Sequence, residues 1–454
     1  MPSTQGNHGG DDPPREPGGE PPVSRRIAIR GDLLDLLDDP GFDVVDSPEV
    51  RFDADHWLLV EDGRIAGRQA HAPDPSWTRL DHRGRLVMPG FIDTHVHSPQ
   101  LDVIASYGTE LLDWLNTYTF PAESRYAIAA AARYGAQLFV ECLLEHGTTS
   151  AVVFPTVHKA SVDALFEVAL DRNMRLITGK VLMDRHAPPE LRDDVEGAER
   201  ECVELIERWH GRGRLAYAVT PRFAPTSSDA QLAMAGGLMS VAPNLYMQTH
   251  VAENRDEVRW VAELFPDARS YLDVYRRFGL LGPRAVLAHG VWLDGDDRAL
   301  LAECGAQIAH SPTSNLFLGS GLLDWRRLEA AGARVSIATD VGGGTSLSML
   351  RTLAEAYKVQ ALQGSRLTAW KALYTATRGA ARALGLEHEI GSLDIGSTAD
   401  IAVWNYAASP LARHRDALAR SLHERLFAFM TLGDERNLES VLVAGTPHVR
   451  AASV

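Results

Sequence analysis

The sequence predicts an α/β protein: a parallel, TIM-like (β/α)8 barrel with a small β-sandwich domain built from both termini. Three observations predict it. Eight near-continuous apolar runs alternate with helical stretches in the middle of the chain, as strands buried on both faces require. Strand and hairpin signals return at both ends. Several of the central apolar runs also stop at a His or Asp, which is where barrel strands present side chains to the active-site mouth. The 454 residues exceed the roughly 150 of a typical domain and suit one large barrel with an added unit.

Residues 1–25 hold six Pro and five Gly and no aromatic residue. Such a composition cannot offset its chain entropy by burial, so a disordered tail is expected there. Residues 26–87 read as antiparallel β. Arg26–Arg30 is strand-like, and His56–Val60 and Arg64–Gly67 flank Glu61-Asp62-Gly63, whose Asp-Gly step signals a tight hairpin. The barrel is expected over 88–385, with strands at Phe91–His97, Ser150–Phe154, Leu176–Leu182, Leu215–Arg222, Leu245–His250, Ala285–His289, Ala306–His310 and Val335–Asp340. Helical stretches such as Ala127–Glu145, Asp229–Val241, Arg255–Glu263 and Asp296–Glu303 separate most of them. The count alone leaves an open sheet as the alternative to a closed barrel. Residues 386–454 return to strands at Ile401–Trp404 and Ser440–Val443 and complete the sandwich.

Composition narrows the function. Apolar residues make up 45% and charged residues 23%, ordinary for a globular protein with a sizeable core. The net charge of −15 repels phosphate backbones and argues against nucleic-acid binding. Cys142, Cys202 and Cys304 form neither a C-x-x-C pair nor a secreted disulfide framework. No apolar run reaches membrane-spanning length and no basic-then-apolar leader opens the chain, so a cytoplasmic protein is expected.

The chemistry concentrates at strand ends. In His95-Val96-His97 the two imidazoles, two residues apart on a strand, project to one face and make half of a zinc or iron site. With 17 His in the chain, H-x-H alone also arises by chance. Position decides between the two readings. His250 closes the fifth run, His289 the sixth and Asp340 the eighth, each where a core would prefer another aliphatic side chain. A metal site at the mouth of the barrel is the expectation.

This set of H-x-H, His250-Val251-Ala252-Glu253, His289 and Thr339-Asp340 at ends one, five, six and eight resembles the amidohydrolase superfamily. The segments Pro89 to Gln100, Leu115-Asn116-Thr117-Tyr118-Thr119-Phe120-Pro121-Ala122-Glu123, Thr220-Pro221-Arg222-Phe223, Thr249 to Glu257 and Thr339 to Gly344 are similar to the guanine deaminase family within it. The similarity runs from about residue 26 to the C-terminus. One departure is Ser311, where relatives often carry Cys after the His. The resemblance implies zinc-dependent hydrolysis of guanine to xanthine and ammonia by a homodimer. It implies His95, His97, His250 and Asp340 as ligands of one Zn2+ per chain, with Fe2+ the alternative. It also implies His289, Asp340 and Glu253 as the groups that handle water and protons, and His97, Gln100, Arg222, Phe223, His250, Glu253 and Asp340 as substrate contacts.

Dinuclear relatives use a carboxylated Lys on the fourth strand. Here that run ends in Thr220-Pro221-Arg222 and Lys180 lies on the third, so a mononuclear site is expected. Some roles stay open at this level. Glu253 is either the proton shuttle or a solvated loop carboxylate. Arg222 either reads the purine or anchors a carboxylate. Trp114 and Tyr118 form a flap or pack, and His310 lines the mouth or caps the seventh strand. The competing functions are another aminohydrolase or chlorohydrolase acting on a modified guanine or triazine, and a catalytically silent scaffold that should have lost a ligand.

Overall fold

The computed structural model describes residues 25–107 and 111–448. The expected tail, residues 1–25, lies outside the described residues except for Arg25. The strands, in chain order, are β1 (Arg26–Leu36), β2 (Val50–Glu61), β3 (Arg64–Gln69), β4 (Thr78–Pro89), β5 (Phe91–His97), β6 (Thr148–Phe154), β7 (Arg175–Thr178), β8 (Val181–Leu182), β9 (Leu215–Pro221), β10 (Tyr246–Val251), β11 (Ala285–His289), β12 (Gln307–His310), β13 (Arg334–Ile337), β14 (Ile401–Trp404), β15 (Leu438–Val443) and β16 (Thr446–Pro447).

Strands β5, β6, β7, β9, β10, β11, β12 and β13 pair in parallel in that order. Beyond β13 the chain closes the ring: Asp340 N–H donates to His95 O and His97 N–H donates to Val341 O, both at 2.9 Å. The expected barrel is therefore closed, not an open sheet. Its floor is a dry plug of Ile92, Val152, Ile177, Ala218, Tyr246, Val286, Ala309 and Ala338 resting on Ala380, Ala381 and Leu384. Helices such as Ala129–Glu145 and Lys159–Asp171 cover the outside with Phe139, Val140, Leu143, Leu165 and Phe166.

Several strands differ from the expected runs by one or two residues at an end, and two differ more. The third breaks into β7 and β8 at Gly179, where a Cβ would sit 1.9 Å from Ala218 O; only glycine permits that approach. The eighth stops at Ile337 rather than Asp340. Buried Asp93 takes the Thr339 N–H at 3.1 Å and the Thr339 hydroxyl, pulling the chain out of strand pairing. Asp340 then adopts φ +50°, and His289 at the end of β11 adopts φ +72°. Both left-handed conformations turn the side chains toward the mouth, a local cost typical of functional positions.

The terminal strands form one sheet in the order β16-β15-β14-β4-β1-β2-β3. It is antiparallel except for the β1–β4 pair, which is parallel, unlike the all-antiparallel pattern expected. Bulges between Arg30 and Leu33 bend it. Ile27, Ile29, Leu58 and Val60 thereby meet Ile401, Val403 and Leu442 in one core, the packing of a sandwich made by a curled sheet. The expected Asp62-Gly63 turn joins β2 to β3, with φ +49° and +78° as a type I′ turn needs.

Candidate active site

The strand ends of β5, β10 and β11 and the chain after β13 bring four imidazoles and one carboxylate together. His97 Nε2 lies 3.2 Å from His95 Nε2, 3.1 Å from His250 Nε2 and 3.3 Å from Asp340 Oδ1. His95 Nε2 is 3.1 Å from the same oxygen. Donors about 2.0–2.1 Å from a common ion in a tetrahedral array stand roughly 3.3 Å apart, so these spacings fit one metal of zinc size. His289 Nε2 sits 3.6 Å from Asp340 Oδ2, the other carboxylate oxygen. Ligand atoms of His95, His250, His289 and Asp340 all fall within 4.8 Å of one another, so His289 is within reach of the same centre. Lys180 does not enter it: its buried ammonium is committed to Asp193 and Val157 O.

Electrostatics favour the neutral form of His97, His250 and His289 and the ionised form of Asp340. Burial pushes the His97 imidazole down to about 3 and His289 down to about 4, and it holds His250 well below the ordinary value, helped by the surrounding His residues. Neutral imidazole is the form that binds a metal. Burial pushes the Asp340 carboxyl up, but His95, His97 and His289 outweigh it and hold the group well below the usual range. The Nδ1 of His250 faces Arg222 O at 2.6 Å, and a hydrogen bond donated there aims Nε2 at the centre. Asn315 Nδ2 donates to His289 Nδ1 at 2.9 Å, which fixes that ring with its proton on Nε2.

Glu253 is buried at the site and not a solvated loop carboxylate; its Oε2 lies 3.5 Å from His289 Nε2. Ala252, at φ +47°, turns the chain, and Glu257 anchors it by accepting the N–H groups of Glu253 and Asn254 at 2.9 and 3.1 Å. Asn254 and Glu257 form the capping box of helix Arg255–Leu264. Burial, with the Asp340 and Glu257 charges beside it, raises the Glu253 carboxyl well above its ordinary value, against one hydrogen bond from Ser320 Oγ at 2.8 Å. A carboxyl shifted in this direction is suited to hold a proton and pass it on.

Above the cluster lies a pocket lined by His97, Gln100, Arg222, Phe223, His250, Glu253, His289 and Asp340, among others. Every expected catalytic and substrate-contact residue thus borders one space, and His95 lies beside it through His97 and Asp340. Arg222 lines the pocket, and its Nη1 donates to Glu123 Oε2 at 2.7 Å, so the carboxylate anchor is present whatever it reads. Trp114 lines the pocket as well, whereas Tyr118 packs beside Trp114, Phe120 and Val157. His310 is fully buried at the end of β12, edge-on to Trp325 at 5.8 Å, and does not border the pocket.

Sequence reasoning assigned no role to Glu123, Glu257, Asn315 or Ser320. Glu257 was traceable as the acidic third residue of a capping box. The other three lie on chain segments distant from their partners; the resemblance of Leu115 to Glu123 singled out the segment of Glu123 but not its partners.

Residues 86–447 match the amidohydrolase family. Guanine deaminase of Escherichia coli (strain K12) is 46% identical over 429 residues, spanning 92% of this chain and 96% of that protein. The solved structure of the E. coli guanine deaminase superposes with a TM-score of 0.89 at 44% identity, covering 93% of this chain and 99% of the other. Guanine deaminase from C. acetobutylicum, solved with guanine bound in its active site, superposes with a TM-score of 0.84 at 28% identity, covering 93% and 99%.

Proposed function

The chain belongs to the amidohydrolase family, among its guanine deaminases, and we propose from that premise that it hydrolyses guanine to xanthine and ammonia. The observation that carries the reading is the convergence of Glu253, the His/Asp cluster, Gln100 and Arg222 on one pocket. A different aminohydrolase would keep the cluster but has no need of this set of polar groups beside it. The silent scaffold is disfavoured because all expected ligands are present and facing one another.

In this reading His95, His97, His250 and Asp340 would hold one Zn2+, with His289 beside them. Bound there, the ion supplies Lewis acidity that lets water act as a nucleophile near neutral pH. Asp340, kept ionised, accepts a proton from the attacking water while His289, its ring fixed by Asn315, orients the oxygen. Glu253 gives its proton to the ring nitrogen next to C2, which makes that carbon electrophilic. A C–O bond forms at C2, the C–N bond to the amine breaks, and ammonia leaves. Of the water's two protons, one ends on the ring nitrogen and the other departs in ammonia, with Asp340 and Glu253 as carriers. Gln100 and Arg222 hydrogen-bond the purine edge, and Phe223 holds its face.

We take residues 88–385 as the catalytic unit and 26–87 with 386–454 as its supporting sandwich. A cytoplasmic homodimer completes the reading. The exposed Ile128, Tyr134 and Leu138 at and along helix Ala129–Glu145 offer apolar surface for a second copy. The test is loss of guanine absorbance with stoichiometric ammonia release by protein whose metal content is measured in parallel. We expect one ammonia per guanine and about one metal per chain, as a single open site implies. Two tightly held metals would overturn the mononuclear assignment, and no ammonia from the loaded enzyme would overturn the substrate.

A further inference from the structure

Gln100 and Arg222 come from opposite sides of the pocket, one after β5 and the other after β9. Both end on the same group. Glu123, on the short helix Phe120–Ser124, is fully buried and stands behind them, outside the pocket lining. Its Oε2 accepts from Arg222 Nη1 at 2.7 Å and its Oε1 accepts from Gln100 Nε2 at 3.3 Å. Phe120, from the same helix, lies 5.4 Å beneath the guanidinium. On its other side Gln100 Oε1 accepts the Gly342 N–H at 3.1 Å.

We propose that Glu123 is a positioning residue that fixes the hydrogen-bonding polarity of both substrate-reading side chains. The proposal rests on the reading of Gln100 and Arg222 as guanine contacts. A carboxylate only accepts hydrogen bonds, so the Gln100 amide must turn its NH2 toward Glu123. The Gly342 N–H only donates, so the amide oxygen must face the other way. The two constraints agree and leave one N–H and one lone pair of Gln100 for the substrate, in a fixed order. The same carboxylate takes one guanidinium N–H of Arg222 and leaves its other donors to point where the ring sits. Without Glu123 the Gly342 N–H alone orients the Gln100 amide, and among the described residues the Arg222 guanidinium keeps only its contact with the Phe120 ring.

Gln at position 123 keeps the size but breaks the logic. Its single amide oxygen can satisfy Arg222 or Gln100, and its NH2 then faces a donor of the other. The hydrogen bond between Arg222 and the metal cluster is made at its backbone carbonyl, which His250 contacts at 2.6 Å, so Glu123→Gln leaves that contact in place.

The experiment compares guanine kinetics and metal content of the parent, Glu123→Gln, Arg222→Met and the double variant. We expect Glu123→Gln to raise KM about tenfold with kcat within about threefold, the signature of lost ground-state binding, at unchanged metal content. The double variant should lose far less kcat/KM than the product of the two single losses, because one change acts through the other. Strictly multiplicative losses, or a Glu123→Gln whose KM stays within about twofold of the parent, would overturn the proposal. Glu123→Asp guards against a folding defect: it keeps the buried charge for Arg222 but withdraws from Gln100. It should raise KM by about threefold at constant kcat, and an unchanged KM overturns the role. The parent is the control for the underlying reading. A parent that releases no ammonia from guanine overturns both, whereas an active parent matched by Glu123→Gln overturns the role of Glu123 alone.

Discussion

Asp35 and Glu253 are both buried carboxylates, yet the molecule treats them in opposite ways. Asp35, in β1 at the seam between the terminal sheet and the barrel, is fully enclosed. Arg51 reaches it at 2.6 Å, Arg378 at 3.4 Å and Arg68 at 3.6 Å, and the Leu393 N–H adds a bond at 3.1 Å. Glu253 has one hydroxyl donor, a neutral imidazole and an open face on the pocket. A buried charge left unpaired costs several kcal/mol, so a chain either surrounds it with cations or lets it take a proton. Asp35 follows the first course and is a staple. Glu253 is left open to the second, which in the proposed reading makes it a reagent. Burial alone does not separate structural from chemical carboxylates; the completeness of the partner shell does.

The largest effect expected from this contrast is at Glu253. Glu253→Gln keeps the shape and the Ser320 contact but removes the transferable proton. Turnover of guanine should fall by roughly 10²–10⁴, the usual worth of a general acid–base. Metal content and melting temperature should stay near the parent. Steady-state rates with elemental analysis check it, and turnover within about tenfold of the parent would assign proton transfer elsewhere.

Asp35 should show the reverse pattern. Asp35→Asn leaves three guanidiniums crowded around a neutral amide, and breaking such a buried network costs about 3–5 kcal/mol. Denaturant titration should show that loss of stability, with kcat/KM for guanine within about twofold of the parent because no Asp35 partner lines the pocket. A variant equally stable but slower would place Asp35 on the wrong side of the comparison.

The same contrast explains what was legible in the sequence. His95, His97, His250, His289 and Asp340 announced themselves because each interrupts or ends an apolar run, where a polar side chain has no packing reason to be. The barrel was legible for the complementary reason, since strands buried on both faces have nowhere to put polar residues. Partner shells are another matter. Glu123 reaches Arg222 across 99 residues and Ser320 reaches Glu253 across 67. Such pairs exist only once the ring closes. The break at Gly179 and the early end of β13 were hidden likewise, one by a backbone contact with Ala218 and the other by the grip of Asp93 on Thr339. Periodicity reports what faces the core, not which side chains complete each other's hydrogen bonds.

Asp434 lies between the two extremes and should show the smallest effect. It caps the turn Glu435–Asn437 and meets Arg436 at 2.6 Å and Arg351 at 3.0 Å. Hydrogen bonds from Arg436 chiefly, and from Arg351, outweigh burial and hold its carboxyl below the usual range. Both arginines are more than half exposed, at 70% and 52%, so water and salt screen the pairs to about 1 kcal/mol or less. A depressed folded-state value stabilises only while the unfolded chain's Asp would also be ionised, above about pH 4. That contribution fades as pH falls toward the lower folded value. Asp434→Asn should therefore melt about 1–2 °C below the parent at pH 7, with the gap narrowing at about pH 3. Protonation of the metal-site histidines affects both proteins alike and cancels in the difference. Paired thermal melts across this range decide the matter. A gap that stays constant with pH would mean that Asp434 acts through the shape of its cap and not through its charge. It would then belong with neither Asp35 nor Glu253, because its value would not depend on how its charge is compensated.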